Sequence, residues 1–343
     1  MKTLLLLLTA GILFSGVAFS ADRDSSNVLL KKAKIARTEK RIGMAMNLYK
    51  QSIEQDPTNA VAYKELGEYA IETRNYRQAY LALTKWNKLE PENQTALLSL
   101  ANINYMMSKY EDALTYAQKW EKANPGATQD LLVGMCHYYL ENFNEALARL
   151  TVAASTQTED ASLHYAIGRS YVEQGQFEAA LPFYQKATYI DRKNARYAYE
   201  LAMVYYSIPD DKKSITYLEM AAQRGWVLNA DYYENLAHAY LNTGNFNRAA
   251  ELLKISLEQR PYHVGATFAL AEAYFKGNKF QDAIQQWDQV IQMDSKNARS
   301  LFMMGVAYQK MGQKEKGAIL CDKAIGMDNS LRSLKQNLLE GGL

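Results

Sequence analysis

From Ala161 to Asn194 the chain reads ASLHYAIGRSYVEQGQFEAALPFYQKATYIDRKN, and from Ala230 to His263 it reads ADYYENLAHAYLNTGNFNRAAELLKISLEQRPYH. Superposed at a period of about 34 residues, the stretches place Ile167-Gly168 on Leu236-Ala237, Tyr171 on Tyr240, Gly175 on Gly244, Phe177 on Phe246, Ala180 on Ala249, Tyr184 on Leu253 and Ala187 on Ser256. Counted from the first residue of each copy, apolar side chains at positions 4, 7, 8 and 11 share one face of a first helix. Those at 17, 20, 21, 24 and 27 share one face of a second, because each set repeats at the helical period. The pattern predicts one helical hairpin per copy.

The small residues in that pattern have a steric purpose. Glycine or alanine at position 8 and alanine at position 20 let two backbones close to roughly 8–10 Å, while larger residues at 7, 11 and 24 fill the space beside them. Gly175 and Gly244 stand where the first helix must stop, since a residue without a Cβ adopts the left-handed conformation that ends a helix. Pro261 stops the second helix of its copy. These residues, with proline at position 32, resemble the tetratricopeptide repeat, and several copies satisfy its pattern in one register from about residue 26 to residue 331. The resemblance implies an all-α, right-handed superhelical solenoid of stacked hairpins that binds partner proteins or peptides in a concave groove.

About nine copies can be counted. The first, Ser26 to Asn59, is a degenerate end unit whose Lys31, Lys32, Lys34, Arg37, Lys40 and Arg41 face only Glu39. A solvated cap explains that charge, and an anionic surface is the alternative. The fourth copy puts His137 where tyrosine usually stands. In the sixth, Ser207-Ile208-Pro209-Asp210 replaces the glycine turn and Gly225-Trp226-Val227-Leu228 replaces the proline exit. Trp226 is expected to pack back on its own helix end, with a partner contact as the alternative. In the ninth, Gly317 takes the place of the alanine and weakens the match. Leu331, Leu334, Leu338 and Leu339 then form the apolar stripe of a closing helix and tail over residues 332–343. The copies, with the residues leading into them, make one continuous solenoid over residues 21–331, without a linker.

Composition adds little to the fold and something to its location. Of 343 residues, 48% are hydrophobic and 22% charged, and the 39 basic and 37 acidic side chains nearly cancel. That balance gives no field suited to nucleic acid. Residues 1–20 carry Lys2, an apolar run from Leu4 to Phe14 and a small-residue site at Ala18-Phe19-Ser20, the pattern of a cleaved secretory leader. The run is shorter than the roughly 20 residues of a spanning helix, so no transmembrane segment is expected in the mature chain, and a periplasmic or secreted location is. Cys136 and Cys321 fall at core positions too far apart to bridge.

Candidate chemistry is sparse. No phosphate loop, nucleophile elbow or paired-histidine zinc helix occurs, so neither an enzyme nor a cofactor is expected. His137 and Glu141 lie one turn apart, too few ligands for zinc. In the family that the copies resemble, positions 2, 5, 9, 12 and 13 line the groove. The residues this assigns are Asn102, Tyr105, Leu131, Met135, Tyr138, Tyr165, Arg169, Tyr199, Met203, Tyr206, His238, Phe268 and Phe275. Rigid rings and methionines suit an apolar or extended peptide. Aromatics that merely support the stack are the plain alternative. The function expected is a non-catalytic adaptor or scaffold for a protein or peptide partner in envelope assembly or export. A carbohydrate-binding module of a polysaccharide export or cell-wall system is the second reading.

Overall fold

Among the described residues, seven of the nine first helices begin with a side-chain cap, those at Asp130 and Val264 being the exceptions. The Asn59 side chain accepts from the Ala62 N–H at 3.1 Å, Asn93 from Ala96 at 3.1 Å, Asn229 from Tyr232 at 2.9 Å and Asn297 from Ser300 at 3.0 Å. Each satisfies one of the N–H groups that a helix start leaves without an internal partner. The structure, a computed structural model, describes residues 22–334. The leader assigned to residues 1–20, and Leu338 and Leu339 of the closing helix, lie outside the described residues.

The helices fall into two compact units, divided between Glu141 and Asn142. In the first, α1 (Arg23–Thr38) pairs with α2 (Ile42–Gln55), α3 (Ala60–Glu72) with α4 (Tyr76–Leu89), and α5 (Gln94–Met106) with α6 (Tyr110–Ala123). The single helix α7 (Asp130–Tyr139) packs on α6. Ala33, Ala45, Leu66, Ala79, Leu83 and Leu100 are buried along this unit. Part of the basic cluster on α1 is paired: Lys34 meets Glu65 at 2.6 Å, and Arg37 meets Glu65 at 3.1 Å and also Glu72.

In the second unit α8 (Phe143–Thr156) packs on α9 (Ala161–Glu173), which pairs with α10 (Phe177–Ile190). Four further hairpins follow: α11 (Ala195–Ser207) with α12 (Asp211–Gln223), α13 (Ala230–Asn242) with α14 (Phe246–Gln259), α15 (Val264–Lys276) with α16 (Phe280–Met293), and α17 (Ala298–Lys310) with α18 (Lys314–Met327). The chain is helical again at 331–334, where Leu331 is buried against the last hairpin. No strand occurs among the described residues. The fold is all-α, a solenoid type of stacked helical hairpins.

The contact between small residues is visible in the distances. A Cβ added at Gly67 would stand 2.7 Å from Leu83 Cδ2, and one at Gly168 would stand 2.9 Å from the Tyr184 ring. In the ninth copy, where Gly317 departs from the repeat's alanine, the helices come closer still. A Cβ on Gly317 would lie 2.5 Å from the Gly305 carbonyl oxygen, so the two glycines let α17 and α18 approach backbone to backbone.

Position 15 ends every first helix, yet glycine is the minority there. Gly175, Gly244 and Gly312 have φ of 72°, 82° and 83°, and Lys40, Arg74, Ser108, Glu141 and Asn278 hold φ between 57° and 60° at the same place. An L side chain there costs about 1–2 kcal/mol relative to glycine, less the chain entropy that glycine loses. Arg74→Gly and Ser108→Gly are therefore each expected to raise stability by about 0.5–1 kcal/mol in denaturant titration.

Candidate groove on the first helices

Side chains tie successive first helices together within each unit. In the second unit Tyr165 of α9 donates to Glu200 of α11 at 3.4 Å, Asn235 of α13 donates to the Tyr199 hydroxyl at 2.8 Å, and Arg299 of α17 meets Glu272 of α15 at 3.4 Å. In the first unit, the Arg37 and Lys34 pairs with Glu65 join α1 to α3. The residues at position 5 are thereby used as spacers. Tyr165 is only 8% exposed, with Tyr197 at 4.9 Å and the Arg196 guanidinium 5.3 Å above its ring. Phe268 lies between Trp287 at 6.2 Å and the Arg299 guanidinium at 5.2 Å.

Trp226 departs from the sequence reading in an informative way. Its N–H does return to the Ala221 carbonyl at 2.9 Å, closing the helix end after Gly225. Its side chain goes elsewhere and stacks on Tyr199 of α11 at 4.2 Å and 14° between planes. The longer exit of the sixth copy thus delivers a ring that covers a predicted groove aromatic.

Several other predicted residues are withdrawn. Met135, Tyr165 and Phe275 are buried, the last against Phe280 and Trp287 at 5.5 and 5.7 Å. The rings of Tyr165 and Phe275 join the core of the second unit, where each of their helices packs on neighbouring copies. Half-exposed or exposed positions remain on both units. In the first unit these are Asn102, Leu131, Tyr105 and Tyr138. There Tyr110 and Tyr139 stack at 4.7 Å, with Tyr105 and Tyr138 against them. In the second unit they are Met203, Tyr206, His238 and Arg169, the last paired with Glu173 at 3.1 Å, together with Tyr199 and Phe268, whose rings are partly covered.

One feature escaped the sequence reading. A cavity of about 660 Å³ opens between α13, α15 and α17, lined by Phe246, Phe280 and Met303 among others, with Lys276 and Lys310 at its edge. Both lysines stand at position 13, and their recurrence in two adjacent copies was the available signal.

Burial sets the titration of this surface. It raises the hydroxyls of Tyr105, Tyr165 and Tyr199 above the ordinary tyrosine value and pushes Tyr232 up to about 12. It also pushes the Cys136 thiol up to about 12. Groups held up in the fold bind protons that the unfolded chain releases first, so their stabilisation is complete below about pH 9 and is lost as pH rises toward 12. Helicity is therefore expected to be flat from about pH 7 to 9, and the buried tyrosinates to appear together with its loss above about pH 10, read by circular dichroism and absorbance near 295 nm. Cys136 and Cys321 are buried and unbridged. His164 binds the Thr158 carbonyl at 2.9 Å and His263 meets Glu234 at 3.1 Å. Among the described residues no three potential ligands converge on a metal position, and no helix is long and apolar enough to cross a membrane.

Comparison with known proteins identifies the repeat. Tetratricopeptide repeat profiles match residues 48–80, 139–203, 234–299 and 268–330, together more than half of the chain. The chain belongs to the tetratricopeptide repeat family. Superkiller protein 3 of Schizosaccharomyces pombe is 20% identical over 236 residues, 65% of this chain and 17% of that protein. The PEX5-related protein of Mus musculus is 25% identical over 224 residues, 64% of this chain and 30% of that protein. The tetratricopeptide chain described here thus spans less than a third of the length of either relative. Among solved structures, that of YrrB, titled a TPR protein with an unusual peptide-binding site, is 24% identical with a TM-score of 0.48 over 55% of this chain and all of its own. The crystal structure of MamA is 20% identical with a TM-score of 0.44, over 49% of this chain and 97% of its own.

Proposed function

We propose that this chain is an exported, non-catalytic tetratricopeptide scaffold that holds an extended segment of another protein in the groove lined by its first helices, in the cell envelope. The observation that carries this reading is the division of labour along the second unit. Position 5 links one first helix to the next, and Met203, Tyr206 and His238 stand on the same helices outside the core. Partly exposed methionine and aromatic side chains on a rigid, repeated scaffold suit an extended peptide, since they offer contact area at low entropic cost.

Sugar recognition needs ring faces that lie open, and two of the candidate platforms are taken. Trp226 covers one face of Tyr199, and Tyr197 with Arg196 encloses Tyr165. That arrangement favours the peptide reading over the carbohydrate one. Export rests on the pattern of residues 1–20 alone.

The test combines fractionation with capture. Mass spectrometry of the protein from the periplasmic fraction should give a mature chain that begins at Ala21, and the same material should retain a protein after crosslinking and stay silent on a glycan array. A full-length chain in the cytoplasm would refute export, and glycan binding without a protein adduct would refute the peptide reading.

A further inference from the structure

We propose that the cavity between α13, α15 and α17 takes an acidic peptide segment anchored by a bulky apolar side chain, an inference that rests on the peptide reading of the same surface. The floor of the cavity is apolar, with Phe246, Phe280 and Met303 partly exposed around about 660 Å³. That volume accommodates an aromatic or large aliphatic side chain with its neighbours, near the middle of the range for ligand sites.

The rim supplies the sign of charge. Arg299 and Glu272 pair at 3.4 Å and cancel each other. Lys276 and Lys310 are exposed, and neither has a carboxylate within ion-pair distance among the described residues. Among the described residues, two ammonium groups without a carboxylate partner therefore flank an apolar floor. Position 13 also changes sign along the second unit, from Glu173 through Ser207 and Asn242 to Lys276 and Lys310. A segment lying along the first helices would meet attraction for acidic side chains at this end and repulsion for basic ones.

The chemistry of the occupant follows. It is a stretch of chain in which Asp or Glu residues flank an aromatic or large aliphatic side chain, the apolar group seated on Met303 and Phe280 and the carboxylates on the two lysines. No free chain terminus is required, which makes an amidated peptide the proper probe.

The experiment is fluorescence anisotropy on the intact protein with two labelled, acetylated and amidated peptides, one with Trp-Phe flanked by aspartates and one with Trp-Phe flanked by lysines. At roughly 50 mM salt the acidic peptide should bind at least about tenfold more tightly, and the preference should shrink as salt screens the rim. The double variant Lys276→Glu, Lys310→Glu should reverse the preference, an outcome that misfolding cannot produce. Met303→Asp should weaken the acidic peptide by about tenfold or more in a protein with native helicity. Equal binding of the two peptides, or an unchanged preference in the double variant, would overturn the proposal. A protein trapped elsewhere on the first helices while neither peptide binds would overturn this inference and leave the peptide reading intact.

Discussion

Gly317→Ala should destabilise the last hairpin by about 2–3 kcal/mol, although the same exchange in an ordinary helix interior gains close to 1 kcal/mol. The new methyl group would lie 2.5 Å from the Gly305 carbonyl oxygen, a backbone atom that cannot rotate away. Gly305→Ala meets the same wall, at 2.7 Å from the Gly317 carbonyl oxygen and from Cys321 Sγ. Gly67→Ala is the control, since its nearest neighbour is the end of the Leu83 side chain, which can shift rotamer at a cost of order 1 kcal/mol. Hydrogen exchange should show the loss confined to α17 and α18, because a repeat array transmits stability only between neighbours. Equal effects of Gly317→Ala and Gly67→Ala would mean that side-chain packing, not backbone approach, sets the hairpin.

The second large effect concerns binding. Replacing Met203 and Tyr206 together by alanine should weaken the recovered protein partner by about 30-fold or more, the equivalent of roughly 2 kcal/mol at a central contact. Both side chains are only half-buried, so helicity and unfolding should change by no more than about 1 kcal/mol. Tyr165→Ala makes the contrast. Tyr165 is enclosed by Tyr184, Tyr197 and Arg196, and its loss should cost about 3 kcal/mol of stability before it affects binding. Affinity measured against unfolding for the three positions separates wall from support.

What the sequence disclosed and what it hid follow from the range of the interactions. The hairpins were legible because the small residue at position 8 and the one at position 20 are near in sequence and their spacing is fixed by the helix. The closeness of Gly305 to Gly317 was not legible, because an alanine consensus describes the average separation and says nothing of a tighter pair. The end of each first helix was read from Gly175 and Gly244, yet Lys40, Arg74, Ser108 and Glu141 adopt the same backbone conformation. Register imposes the turn, and glycine only makes it cheaper. The asparagine caps went unread because the apolar periodicity carries no information about them.

The groove was less legible than the core, for a related reason. Whether Tyr165 or Phe275 faces a ligand depends on how far the next first helix overlaps it, a property of two copies and not of one. Trp226 shows the same limit. Glycine before it correctly marked a helix stop, but nothing local directs the indole onto Tyr199 at 4.2 Å.

The central claim is that the groove face of the first helices does the holding. It is tested most directly by placing a photocrosslinking side chain at Met203, Tyr206 and His238 in turn, and at the exposed second-helix residue Ile319 (67% exposed) as the comparison, in cells that make the partner. Adducts with one and the same protein from the three first-helix positions and none from Ile319 are the expected result. A partner trapped from Ile319 and from none of the three would contradict the account.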